Sequence, residues 1–150
     1  MRRGWIILVV WAAAATGAIA QENGPLGVGA VLGEPTGLTA KQYVSDNIAF
    51  DATVYWSFVA RDTLYVHVDY LHHTDSLFDI RAEGLTFYAG IGGMIQLSAD
   101  PAFGPRIPFG ISYMLPDLPV ETFFEVGPML LLYPETAAAG SIGIGARYYF

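Results

Sequence analysis

Eight ionisable side chains carry most of the chemistry this sequence offers: Lys41, Asp51, His67, Asp69, Arg106, Glu121, Glu125 and Arg147. Each alternates with apolar residues along its segment, so on extended chain with a two-residue repeat all eight fall on the polar face. Acids and bases gathered on one face fit a functional reading, an ion path or a catalytic pair, and a structural one, a salt-bridge core. Arg106 and Arg147 flank the segment bearing Glu121 and Glu125, which predicts guanidinium–carboxylate pairing across neighbouring strands. Charges that leave water must be paired or hydrogen-bonded, so a structural charge network is the expectation.

Other candidate sites are thinner. His67 and Asp69 share a face at i and i+2, but no third ligand type clusters beside them, and a metal needs three or four ligands with an oriented second shell. No metal or cofactor is expected. His72-His73-Thr74-Asp75-Ser76 is the one stretch resembling a nucleophile set. Some eight-stranded outer-membrane barrels are lipid A-modifying enzymes (deacylases or acyltransferases) that use His, Ser and an acid. A triad is made by geometry rather than adjacency, so five crowded residues read better as a solvated turn, and no catalytic residue is assigned. Gly27, Gly29, Gly90, Gly92, Gly93, Gly143 and Gly145 precede no helix pattern and are not phosphate-loop glycines; they make room inside a narrow sheet structure. With no cysteine, thiol chemistry is excluded.

The elements that position these residues are strands. Leu26–Gly33, Thr36–Val44, Ile48–Phe58, Leu64–Leu71, Leu85–Leu97, Arg106–Leu115, Val120–Gly127 and Ser141–Phe150 each alternate apolar with small or polar residues. In the third, Ile48, Phe50, Ala52, Val54, Trp56 and Phe58 oppose Ala49, Asp51, Thr53, Tyr55 and Ser57. Turns are expected at Glu34-Pro35, Ser45-Asp46-Asn47, Ala60-Arg61-Asp62 and Pro116-Asp117-Leu118-Pro119, with loops at His72–Gly84, Ser98–Gly104 and Tyr133–Ala139. Pro108 inside the sixth strand requires a bulge or a strand start.

Mean hydropathy is positive, yet no stretch after residue 20 approaches a helical span. Strands of ~9–11 residues with every second one apolar resolve that paradox. The expected fold is therefore all-β, a closed antiparallel up-and-down transmembrane barrel of eight strands. Its interior side chains, among them Tyr55, Tyr65, Tyr88 and Phe123, fill the lumen and close it to ions. Trp56, Phe58, Tyr70, Phe87, Tyr113, Phe124, Tyr148 and Phe150 read as an interface girdle and lipid-facing surface. Tyr148 and Phe150 also give the last strand the aromatic ending of outer-membrane barrels, the feature by which barrel assembly machinery would engage it.

Met1-Arg2-Arg3, the apolar run Trp5–Ala15 and Ala18-Ile19-Ala20 make a secretory signal peptide over residues 1–20, cleaved to leave a barrel domain over 21–150. The mature chain would keep 5 basic residues against 14 acids, a net charge of −9. That excludes a nucleic-acid binder and a basic patch for anionic headgroups. The destination is the outer membrane of a Gram-negative-type cell envelope, with lipid as the main partner, a monomer, and at most an extracellular protein partner that the residues do not identify. With both termini periplasmic, the connections at Glu34, Arg61, Asp100 and Glu135 are extracellular. A narrow pore is the third reading, beside the structural barrel and the lipid-modifying enzyme.

The segments Gly27–Lys41, Leu64–Tyr70, Tyr88–Gly93 and Arg106–Tyr113 resemble a family of small bacterial outer-membrane β-barrel proteins classed as a domain of unknown function (DUF3996), which includes spirochaete surface proteins. Gly33-Glu34-Pro35-Thr36-Gly37-Leu38 and the terminal Arg147-Tyr148-Tyr149-Phe150 are its most specific pieces. The resemblance covers nearly all of residues 26–150. It implies an eight-stranded barrel similar to the OmpA membrane domain and brings no catalytic residues.

Overall fold

The computed structural model describes residues 25–57, 63–77 and 83–150. The expected signal peptide, Phe58 and the Ala60-Arg61-Asp62 turn lie outside them. Nine strands follow in chain order: β1 (Leu26–Glu34), β2 (Thr36–Tyr43), β3 (Ile48–Trp56), β4 (Leu64–Thr74), β5 (Leu85–Leu97), β6 (Ala102–Arg106), β7 (Phe109–Met114), β8 (Val120–Leu131) and β9 (Ala137–Tyr149). Sequence neighbours other than β6 and β7 pair antiparallel, and β9 pairs back onto β1 from Glu34↔Ile142 to Gly27↔Tyr149, closing the ring. Closure leaves no long unpaired edge around the wall.

The ninth strand is a division of one stave. Both β6 and β7 lie between β5 and β8, β6 through Gly92↔Arg106 to Gln96↔Ala102 and β7 through Leu85↔Tyr113 to Ala89↔Phe109. The interruption falls at Ile107-Pro108, where proline has no N–H to give the ladder. The eight-stranded expectation therefore holds as eight staves, but that stave begins at Ala102, inside the segment expected to be a loop.

Three other boundaries differ from expectation. β4 continues through His72, His73 and Thr74, which pair with Ala89, Tyr88 and Phe87, so the start of the His72–Gly84 segment is strand. β8 runs on to Leu131, and β9 begins at Ala137 rather than Ser141. The β4 and β9 extensions are polar or small and the β8 extension, Pro128 to Leu131, is apolar without alternation, so their pairing rests on the neighbouring strand rather than on their own pattern.

The two faces match the alternation. Val31, Ala49, Tyr55, Leu71, Tyr88, Met94 and Phe123 are buried, while Leu32, Val54, Ile91, Ile95, Ile142 and Ile144 are exposed. Among the largest fully buried side chains are Arg106, Arg147, Lys41 and Glu121, whereas Ile91 is 63% and Leu32 64% exposed. A water-soluble protein has the opposite distribution. Such a distribution suits a wall with an apolar solvent outside and a hydrogen-bonded interior. Trp56, Tyr70, Tyr113, Phe124, Tyr148 and Phe150 are on the exposed side, and Phe50–Tyr70 and Tyr148–Phe150 meet edge to face.

Candidate functional site: a charge network in the lumen

All eight ionisable residues singled out by the alternation point into the lumen and are buried. They assemble into two clusters. In the first, Arg147 on β9 spans the lumen, donating from Nη2 to Asp51 Oδ2 on β3 at 2.6 Å and from Nη1 to Glu121 Oε1 on β8 at 2.9 Å. Lys41 Nζ lies 3.0 Å from both oxygens of the same Glu121. Thr39 receives hydrogen bonds from Arg147 Nε and Nη2 and donates to Asp51 Oδ1 at 2.9 Å, which locks guanidinium and carboxylate together. Tyr149 donates its phenol proton to Glu121 Oε2 at 3.0 Å. Two cations face two carboxylates here.

In the second cluster Arg106 is the only cation among the described residues. Its Nη1 donates to Asp69 Oδ2 at 2.9 Å and its Nη2 to Glu125 Oε1 at 2.8 Å. Nη1 also meets His67 Nδ1, and Tyr88 donates to Glu125 Oε2 at 3.0 Å. One guanidinium thus holds two carboxylates, with a histidine and a phenol adding polar contacts, while Arg106 Nε and Asp69 Oδ1 meet no hydrogen-bond partner among the described residues. Gly127 makes this possible: a Cβ there would run into the Arg106 guanidinium and the Ser141 hydroxyl.

Aromatic rings seal the space around both clusters. The Arg147 guanidinium lies 3.8 Å from the Phe123 ring centroid, a cation–π contact. Val31, Tyr55 and Phe123 pack together with Tyr65 against them, and Tyr55 is 4.6 Å from the His67 ring. At the ends of β2, β4, β5 and β9, the His73 ring lies 5.0 Å from Tyr43 and 5.4 Å from Tyr88, and Tyr43 is 6.1 Å from Tyr149.

The pairing across adjacent strands expected for the two arginines is found in both cases, Arg106 with Glu125 and Arg147 with Glu121. Sequence reasoning did not single out Asp51 as the partner of Arg147, because β3 and β9 are not neighbours and touch only across the lumen. Thr39, Tyr88 and Tyr149 were likewise missed as members of the network. Their inward parity was a signal, since a buried hydroxyl needs a partner.

The histidine-rich segment does not assemble a nucleophile. His72 faces outward and shares a hydrogen bond with Asn47 at 3.0 Å, while His73 faces inward among aromatic rings. Asp75 accepts from Thr86, and Thr74 and Ser76 bond each other. The alternation of β4 separates the residues that a triad would bring together. An apolar groove of about 470 Å³ lies beside His72 and Thr74, lined by Leu77, Phe87, Phe109, Ile111 and Phe124, and no serine lines it. Among the described residues, no three metal-ligating side chains gather at one point.

No protein-family model matches the chain, and no curated protein matches it by sequence. Solved structures do share its fold. The N-terminal β-barrel domain of OprF from Pseudomonas aeruginosa aligns with a TM-score of 0.63 at 13% identity, covering 84% of this chain and 96% of that one. Neisserial surface protein A aligns with a TM-score of 0.55 at 12% identity, covering 84% and 94%. These likenesses establish the small β-barrel architecture.

Proposed function

We propose that this protein is a bacterial outer-membrane barrel with a structural or surface-interaction role, whose lumen is a filled core of hydrogen-bonded ion pairs rather than a pathway or an active site. The observation that carries the reading is the lumen itself. Lys41, Arg106 and Arg147 are each committed to carboxylates at 2.6–3.0 Å, and the space between them is filled by Tyr55, Tyr88 and Phe123. A conducting path needs water along its charges, and a catalytic carboxylate needs a substrate within reach; here both positions are occupied by protein. The apolar outer wall supports lipid as the surrounding solvent. The secretory N-terminus and the Tyr148 and Phe150 ending support export and delivery to the outer membrane through the barrel assembly machinery. The motif resemblance supports membership among the small surface barrels of unknown function.

The test is electrical. The mature chain refolded into a planar bilayer gives no reproducible unitary conductance at physiological salt. Stable, uniform current steps would replace this reading with that of a narrow pore.

A further inference from the structure

The barrel wall is closed, but one strand outgrows it. β9 pairs with β8 from Val120↔Tyr148 up to Leu131↔Ala137 without a slip in register. Its pairing with β1 stops at Glu34↔Ile142. Ala137-Ala138-Ala139-Gly140-Ser141 therefore stands above β1 with one edge uncovered by any described residue, and Ala137 through Gly140 are exposed. Five residues of strand amount to about 17 Å.

The backbone groups on that edge can be named. Tyr149 N–H donates to Pro119 on the β8 side, and Phe150 N–H donates to Leu26 on the β1 side. In an antiparallel strand these directions alternate. Odd-numbered residues of β9 thus address β8 and even-numbered ones address β1. Ala138 and Gly140 accordingly present their N–H and C=O groups to the free edge. An unpaired edge cannot lie in hydrocarbon, so this part of the hairpin projects beyond the membrane core, on the rim away from the termini.

No described residue protects this edge. Natural edges are blunted with lysine, proline or a bulge, and the segment has none of these. Its side chains are methyl groups, a hydrogen and one hydroxyl, so a second backbone can approach without collision. Among the described residues, the charge around it has one sign. All three described basic side chains, Lys41, Arg106 and Arg147, are buried in the lumen. The described charges on this rim are Glu34, Asp100 and Glu135, all exposed, and two of them bracket the free edge in sequence and register.

From this we infer that the free edge of β9 at Ala138 and Gly140 is a strand-addition site for an extended, basic segment of another polypeptide. Backbone hydrogen bonds to Ala138 and Gly140 would provide the attachment, and lysine or arginine at the ends of the segment would face Glu34 and Glu135. The inference rests on the outer-membrane reading, in which this rim faces the exterior, and gives the surface role a partner chemistry.

The mature protein in phosphatidylcholine vesicles is titrated with a fluorescent heptapeptide of sequence Lys-Thr-Val-Thr-Val-Thr-Lys and with its counterpart carrying glutamate at both ends. The lysine peptide binds about ten-fold more tightly than the glutamate peptide, and binding slows hydrogen exchange at the Ala138 and Gly140 amides. Ala138→Pro removes one free-edge N–H while leaving every β8 ladder bond, and weakens binding about ten-fold; Ala138→Val leaves it unchanged. Equal binding by the proline variant, equal binding of the two peptides, or unchanged exchange at those two amides would overturn the inference, as would no binding at all by a correctly inserted protein. Failure of the wild-type chain to insert and gain β-structure in vesicles would instead overturn the membrane-barrel reading, so the two failures are distinguishable.

Discussion

Replacing Arg147 by methionine removes the cation that joins Asp51 to Glu121, and the consequences for the two acids differ. Of its hydrogen bonds Asp51 keeps only that from the Thr39 hydroxyl at 2.9 Å, with Lys41 opposite it on β2 but hydrogen-bonded to Glu121. Glu121 keeps Lys41 at 3.0 Å and the Tyr149 hydroxyl at 3.0 Å. The stranded charge is therefore Asp51, and a buried carboxylate left without its partner costs ~3–5 kcal/mol. Pairing Arg147→Met with Asp51→Asn removes that charge and recovers ~2–3 kcal/mol of the loss. Pairing it with Glu121→Gln recovers less, because the second change strands Lys41. Pairing it with Glu125→Gln recovers nothing, since Glu125 belongs to Arg106, and the two losses add to within ~0.5 kcal/mol. The assay is equilibrium unfolding in urea of the mature protein in lipid vesicles, followed by the fluorescence of Trp56, the one tryptophan left after cleavage at residue 20. A coupling to Glu125 as large as that to Asp51, or additivity with Asp51, would refute the assignment of these clusters.

Three further outcomes follow from the same geometry. Val54→Arg puts a charge on the lipid-facing side of β3 and costs ~2–4 kcal/mol of folding free energy in vesicles, whereas Asp100→Arg, in an exposed connection, is nearly neutral; equal costs would mean the faces are misassigned. Gly127→Ala drives a methyl group into the Arg106 guanidinium and destabilises the barrel by ~1–3 kcal/mol, measured by the same unfolding assay. Intact-mass spectrometry of protein recovered from the outer membrane gives the mass of residues 21–150; recovery of the uncleaved chain, or of the cleaved chain in the soluble periplasm, contradicts the expected export route.

The facing of the wall was legible because a two-residue period leaves only two choices, and one charged residue fixes the parity of a whole strand. Asp51 sets β3, Asp69 sets β4 and Arg147 sets β9. Where a segment carries no such marker, the reading stops short. Ala137–Gly140 offers methyl groups and a hydrogen, and its strand conformation is imposed by the β8 ladder. His72 to Thr74 looks like a solvated turn until Tyr88 and Ala89 are placed opposite. The break at Ile107-Pro108 was visible as a proline, but that the stave resumes on its far side depends on β5 and β8 holding both pieces. The partners of Arg147 could be guessed only along the sheet, because the contact with Asp51 crosses the interior between strands that share no hydrogen bonds.

The sequence separation of the lumen contacts has a consequence for assembly. Lys41 meets Glu121 across 80 positions, Asp51 meets Arg147 across 96, and Thr39 meets Arg147 across 108. A chain threaded as far as β7 would set Lys41 and Asp51 opposite each other on β2 and β3 but without Glu121 and Arg147, the hydrogen-bond partners that β8 and β9 bring. A partial barrel therefore has only the Thr39–Asp51 bond of the Arg147 cluster in place. Sealing the β1–β9 seam and joining the two sides of the lumen therefore fall to the same strand, because β9 carries both the seam register and Arg147.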